Sequence, residues 1–307
     1  MSQIPWSSHR VLLREIELSG HLVAEGPLRV GAGREPPLGS AVDLAVLRIR
    51  LVDRREVDKE VYREVPYIPG SSLKGVFRST ATQLAEARNL RVCRGLSRET
   101  CMDRIYPEFG NRTLLNQIQF LMMGGRMEEA VRTFHDKSCL LCKMFGAPSF
   151  TGHVEFSDAY PIGDAPVGVR TGIAIDRRTG AVHAQHLYQV EYVEPGARFK
   201  LRIRGSNLPN YSLGLLSKTL RMINEGWVRI GGFKTRGFGE VRVENLGFAA
   251  RGITIQGTKL AKMDEYDVDV DLTGLVSMES GWIKASDENA WKVLAKLEGA
   301  WEHASFG

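Results

Sequence analysis

Seven consecutive residues, Pro69-Gly70-Ser71-Ser72-Leu73-Lys74-Gly75, bring together hydroxyls, a cation and small residues suited to holding an anion. They follow an extended Val65-Pro66-Tyr67-Ile68 and open an amphipathic run from Leu73 to Arg88, which predicts a strand, a tight turn and a helix start. Ser71 or Ser72 can cap that helix, and Lys74 and Arg78 fall one turn apart on one polar face. Free N–H groups, hydroxyls and cations at one helix N-terminus suit a phosphodiester. An ordinary capped helix with solvated cations is the plain alternative. The order is not that of a nucleotide P-loop, because Val76 follows Lys74-Gly75 where Ser or Thr should stand beside the lysine.

A second constellation is made of sulfur. Cys139 and Cys142 form a Cys-x-x-Cys pair, and Cys93 and Cys101 lie upstream in the same basic segment. Few cysteines, all in one segment, point to a metal rather than to disulfides. Four thiolates satisfy tetrahedral zinc, in a structural role that staples a segment with little core of its own. The Cys93-x7-Cys101 spacing is looser than a standard knuckle, so His135 is the alternative ligand for either upstream cysteine. Four ordinary thiols are the competing reading. A third candidate is the glycine loop 231–239, where Lys234 and Arg236 alternate with glycines and with Phe233 and Phe238. Such a loop lets a backbone approach phosphates while aromatics stack on bases, and it equally suits a plain hairpin. Glu155 and Asp158 flank a strand and are expected in structural salt bridges.

These residues need elements to position them. Strands are expected at Leu12–Val23, Asp43–Val52, His153–Ala159, Arg198–Arg204, Trp227–Ile230 and Gly239–Val243; helices are expected at Leu73–Ala87, 113–123, 126–137, Ser212–Glu225 and Asp287–Trp301. The alternation of Phe199, Leu201 and Ile203 with Lys200, Arg202 and Arg204 is the clearest strand. The pattern β-α-β-β-α-β predicts an α+β chain with a ferredoxin-like, RRM-like core over 1–250. Residues 88–150 form one insertion, 164–194 a second, and 251–307 an extension ending in a helix. The chain has 307 residues, 25% of them charged, a net charge of +5 and a pI near 9.0. No run of about eighteen apolar residues exists, so no membrane span is expected, and the charge permits nucleic-acid binding. With no apolar signal core at the start, the cytoplasm is expected.

Three stretches together resemble the CRISPR-associated RAMP superfamily: Pro69–Gly75 with Arg78, the element Cys139-Leu140-Leu141-Cys142-Lys143-Met144-Phe145-Gly146, and the loop Ile230–Gly239. They stand in the family's order across about residues 10 to 245. The resemblance implies the ferredoxin-like core, a zinc-binding insertion, and a thumb hairpin that wedges between bases with Ile173, Ile175, Val182 and Leu187. His183 and His186 are expected on the hairpin surface. RNA contacts are implied for Ser71, Ser72, Lys74, Arg78, Lys143, Arg177, Arg178, Lys234 and Arg236. Catalytic members carry an aspartate before the Pro-Gly-Ser-Ser motif as Gly-x-x-Asp; here Gly39-Ser40-Ala41-Val42-Asp43 places Asp43 one residue further on, with Asp53 and Asp58 as alternatives. Asp43 would hold Mg2+ or a similar cation while the 2′-hydroxyl attacks the scissile phosphate. The implied function is the repeating backbone subunit of a type III RNA-guided interference complex, binding guide RNA, cutting target RNA, and contacting its own copies and other subunits. The alternatives are a non-catalytic RNA-binding relative in that complex, a metal-independent guide-processing endoribonuclease and a general single-strand RNA-binding module.

Overall fold

The computed structural model describes residues 5–31, 42–53, 61–96, 98–176, 178 and 182–306. Gly39, Ser40, Ala41, Asp58 and Arg177 lie outside them, as do the side chains of Asp53, Ile175, Val182, His183 and His186.

The central strand is β1 (Arg14–Ala24), whose alternating burial puts Ile16, Leu18 and Leu22 inside and Glu15, Glu17 and His21 on the open side. A separate hairpin, β2 (Arg48–Asp53) and β3 (Val61–Pro66), leads into α1 (Gly70–Glu86). Next come the short β4 (Ile105–Tyr106) and β5 (Arg112–Thr113), then α2 (Leu114–Met123), α3 (Met127–Lys137) and α4 (Leu140–Phe145). β6 (Val154–Phe156) precedes a long hairpin of β7 (Val167–Ile175) and β8 (Val182–Val193). β9 (Arg198–Ser206), α5 (Asn210–Asn224) and β10 (Val241–Gly252) follow. The chain ends with a small sheet of β11 (Ile255–Gln256), β12 (Lys259–Leu260) and β13 (Val270–Asp271), the pair β14 (Ser277–Glu279) and β15 (Trp282–Ser286), and α6 (Asp287–His303).

Six strands form one antiparallel sheet in the order β14-β15-β10-β1-β9-β6. The run β10-β1-β9-β6 is joined through α1 and α5, so that the fourth, first, third and second of these strands in chain order lie side by side. The sheet buries Phe199, Leu201, Ile203, Val243 and Phe248 in one core with Leu73 and Phe77 of α1 and Leu216 and Leu220 of α5. A second, smaller core gathers Cys93, Cys101, Met102, Leu114, Ile118, Leu121, Phe134 and Cys142. The segment after α1 therefore has its own interior, built around the cysteines.

One expectation needed correction. Trp227–Ile230 is not a strand: α5 reverses at Gly226, which has φ +76°, and only the Ile230 N–H reaches back, to the Gly239 carbonyl at 2.8 Å. Residues beyond 250 end in the expected helix, α6, and tie into the main fold. β15 pairs with β10 from Gly247 to Ala250, and α6 closes on α5 so tightly that a Cβ on Gly214 would strike the Leu297 carbonyl.

The same region supplies a long-range helix cap. Asp267, 4% exposed, accepts the N–H groups of Asn210 and Tyr211 at the start of α5, at 3.0 and 3.2 Å, and that of Met263 at 3.0 Å. Arg14, fully buried, donates to the Asn210 side chain and to the carbonyls of Leu208 and Ala261. Its charge is attracted by Asp267, although burial draws its pKa down to about 10. Replacing Asp267 with asparagine is expected to cost about 2 kcal/mol, because one buried N–H acceptor becomes a donor. A lowered urea midpoint checks it.

Candidate metal centre and nucleic-acid interface

The four sulfurs converge from three directions. Cys93 lies in the coil after α1, Cys101 opens a short 3-10 turn capped by Thr100, and Cys139 and Cys142 bracket the start of α4. All four Sγ atoms lie within 4.8 Å of one another, and none is in a disulfide. Tetrahedral zinc with bonds near 2.3 Å sets sulfurs about 3.8 Å apart. Here Cys93 and Cys139 stand at 3.8 Å and Cys93 and Cys142 at 3.1 Å. The Cys139 N–H donates to the Cys101 sulfur at 3.2 Å. Hydrogen bonding from Cys101 holds Cys93 and Cys139 down, the latter at about 6, while hydrogen bonding within the cluster pushes Cys101 and Cys142 up. Mutually close, buried thiols of this kind fit one thiophilic ion.

His135 is not the alternative ligand. Its Nδ1 bonds the Ser7 hydroxyl at 2.8 Å, and its ring meets the Trp6 ring edge-on. Lys143 is also turned inward, donating to the His135 carbonyl at 3.2 Å and lying over the Trp6 ring. It faces the protein rather than a phosphate.

His135 and His153 flank Trp6, and burial lowers both from 6.5 to about 4. The unfolded chain takes up these protons below pH 6.5, whereas the folded chain refuses them until about pH 4. Stability therefore falls with pH through that window, by about 1.4 kcal/mol per pH unit for each histidine. Asp267 acts oppositely: burial raises it from 3.8 to about 6, so its contribution is lost as pH rises. With two histidines against one aspartate, these three groups together are expected to contribute a net loss of about 1.4 kcal/mol per pH unit between pH 6 and pH 4. Urea midpoints measured at several pH values check the slope; a flat profile contradicts it.

A second cluster forms where the β7–β8 hairpin meets the glycine loop. Gly168 and Gly172 sit opposite Tyr192 and Tyr188, and a Cβ at either glycine would strike the facing ring. Tyr188 stacks on Phe233 with centroids 6.4 Å apart, and Tyr192 meets Phe238 edge-on. Arg236 donates to the Tyr188 hydroxyl at 2.6 Å and lies over Phe233. Arg170 lies over both Tyr192 and Phe238. Phe233 takes φ +56° to turn the loop, and Lys234 projects to solvent. Farther along the hairpin, Ile173 and Leu187 are cross-strand partners, 48% and 63% exposed. Arg178 is exposed beyond them.

Asp43 docks on the base of this hairpin. Its Oδ2 accepts the Gln189 N–H at 2.7 Å, and Leu44 bridges to Val190 like an added strand. Glu191 secures the same segment by accepting the Val46 N–H and both guanidinium nitrogens of Arg48, at 2.9 and 3.0 Å. Arg29 lies below, 7% exposed, its guanidinium over the Phe233 ring. Asp43 is exposed. Among the described residues, the cysteine set is the only cluster of three or more metal-ligating groups.

The Pro-Gly-Ser-Ser stretch starts α1 as expected, but neither serine caps it. Pro69 is the N-cap, and the Gly70 N–H goes to the Asp158 carboxylate at 2.7 Å. Asp158 is thus a helix cap rather than half of a salt bridge. Ser71 and Gly75 face outward, with nothing near the Gly75 Cα face, and Lys74 is half-buried. Burial, then the neighbouring Arg78, lowers the Lys74 pKa. Arg78 reaches the cysteine centre instead, donating to the Gly146 carbonyl at 3.0 Å.

Sequence reasoning missed Arg29, Arg48, Glu191 and the two tyrosines. One signal was present: glycines 168 and 172 and tyrosines 188 and 192 repeat the same four-residue step on facing strands.

With this geometry in view, the profile of the RAMP superfamily matches residues 21–242, most of the chain. The chain belongs to that superfamily, a CRISPR-associated family of RNA-binding proteins. Comparison with curated proteins gives no match. No helix among the described residues is long and apolar enough to cross a membrane.

Proposed function

We propose that this chain is a backbone subunit of a type III RNA-guided interference complex, holding guide RNA and cutting the paired target through Asp43. The observation that carries this reading is the docking of Asp43 onto the hairpin that also bears the aromatic and cationic cluster. The β10-β1-β9-β6 order supports a ferredoxin-like core for residues 1–250. On that plan, 88–150 is a zinc-binding insertion and 164–194 a thumb.

Each part has a chemical task. Ser71, Ser72, Lys74, Lys234 and Arg236 offer hydroxyls and cations to guide phosphates, which carry no sequence information themselves. Arg178, beyond the apolar Ile173–Leu187 pair, suits backbone contact near the wedge point. Zinc, held by Cys93, Cys101, Cys139 and Cys142, would supply a structural cross-link. At the cutting site Asp43 offers one carboxylate with Oδ2 fixed by Gln189, which matches the habit of Mg2+ of taking one or two carboxylates and filling its shell with phosphate and water. Copies stacked head to tail along the guide would repeat this site at regular intervals.

The test uses the assembled complex with labelled RNA complementary to its guide, in Mg2+ and in EDTA. Evenly spaced cuts that need metal are expected. Cutting that survives EDTA would favour histidine acid–base chemistry and a guide-processing enzyme. Tight guide binding without cuts would leave an RNA-holding subunit.

A further inference from the structure

We infer that Arg78 is a positioning residue of the cysteine centre, holding and neutralising its thiolates, rather than a phosphate contact. This rests on the zinc reading above. Arg78 projects from α1 toward the loop between Cys93 and Cys101. One guanidinium nitrogen donates to the Gly146 carbonyl, which ends α4, and another faces the Cys142 sulfur at 3.7 Å. Its Nε is buried without a partner. The guanidinium also fills the space beside Gly95, two residues after Cys93. A Cβ there would come within 2.7 Å of it, and Gly95 has φ +73° besides. The side chain is thus enclosed by the backbone on both sides of the sulfur cluster.

Charge points the same way. Among the described residues no carboxylate pairs with Arg78, so its nearest source of negative charge is the sulfur set. A partly desolvated guanidinium is costly beside four neutral thiols. Beside four thiolates on one divalent ion, which carry a net double negative charge, it is favoured. Arg78 thus offsets part of the charge of a loaded site. Outer hydrogen bonds of this kind orient metal ligands, and losing one typically weakens metal binding about 10- to 100-fold.

The test is zinc competition against a chromophoric chelator on the full chain, with Arg78→Gln, Arg78→Lys and wild type, alongside the absorption spectrum of the cobalt-loaded forms. One tightly held zinc in wild type is expected, weakened about 10- to 100-fold in Arg78→Gln. Arg78→Lys should recover part of that affinity, and the sulfur-to-cobalt band should shift in Arg78→Gln. At full zinc occupancy Arg78→Gln should bind guide RNA as wild type does, whereas Lys74→Ala should bind it less well. Unchanged zinc affinity in Arg78→Gln overturns the inference and leaves the zinc site standing. Lost RNA affinity in zinc-loaded Arg78→Gln overturns it too, by restoring a phosphate role. A wild-type chain that holds no zinc removes the zinc site itself, and the inference with it.

Discussion

Replacing Cys142 with serine is expected to abolish stoichiometric zinc binding and to unfold the segment around α2 and α3 while the main sheet stays folded. Cys142 is fully buried, and its sulfur lies 3.1 Å from that of Cys93. A serine hydroxyl does not replace it, because zinc takes deprotonated sulfur and a hydroxyl gives up its proton far less readily. The segment cannot absorb the loss. Its interior comprises little beyond Leu114, Ile118, Leu121, Phe134 and the cysteines. Its α2–α3 corner leaves Phe120, Met122, Met123 and Met127 exposed. Structural zinc contributes about 10–16 kcal/mol of apparent binding energy in small peptides, several times what such a core supplies. Hydrogen exchange resolves the outcome by region. Protection should vanish across residues 93–137 and persist in β1, β9 and β10 and in α4, whose Leu141, Met144 and Phe145 belong to the main core. Retained zinc, or uniform loss across the whole chain, would contradict a locally stapled segment.

How much of this was legible depended on the distance over which each contact acts. The Pro-Gly-Ser-Ser start of α1 and the alternation of β9 were readable because their determinants lie within one turn or one strand. The four cysteines were readable by type, since no other residue gathers into such a set. The failures share a different cause. Serines at the start of α1 predict a cap, but Asp158 reaches that N–H first from the coil just after β6. Lys143 beside the Cys-x-x-Cys pair looks available to a phosphate, yet the fold turns it onto Trp6 and the His135 carbonyl. Residues past 250 lack a strong pattern because their strands are short and pair with β10 and each other, and because Asp267 acts on a helix far upstream. Glu191 read as one acid among many, and only the docking of the 43–48 segment reveals what it holds. In each case the decisive partner is distant in sequence, where local propensity has no information.

Asp43→Ala is expected to end target cleavage while leaving guide binding intact. The two effects separate because the carboxylate and the RNA-holding cations stand on different elements. Lys234 and Arg236 belong to the glycine loop and Lys74 to α1, whereas Asp43 belongs to the segment laid along β8. That segment should stay in place without the carboxylate. Leu44 still exchanges backbone bonds with Gln189 and Glu191, and Glu191 still holds the Val46 N–H and Arg48. What disappears is one fixed anion at the hairpin base. Metal-assisted attack draws several kcal/mol of transition-state stabilisation from a correctly held cation. At tenfold for each 1.36 kcal/mol, losing its ligand should slow cutting on the order of a thousandfold. Asp43→Asn sharpens the test: it keeps the shape but withdraws the charge, and should cut almost as poorly as the alanine variant. If both variants cut at the wild-type rate with guide bound, Asp43 is only a turn acceptor for Gln189, and the catalytic carboxylate is Asp53, Asp58 or one from a neighbouring subunit. If cutting and guide affinity fall together, the carboxylate organises the hairpin base rather than the metal. Only selective loss of cleavage assigns Asp43 the chemistry.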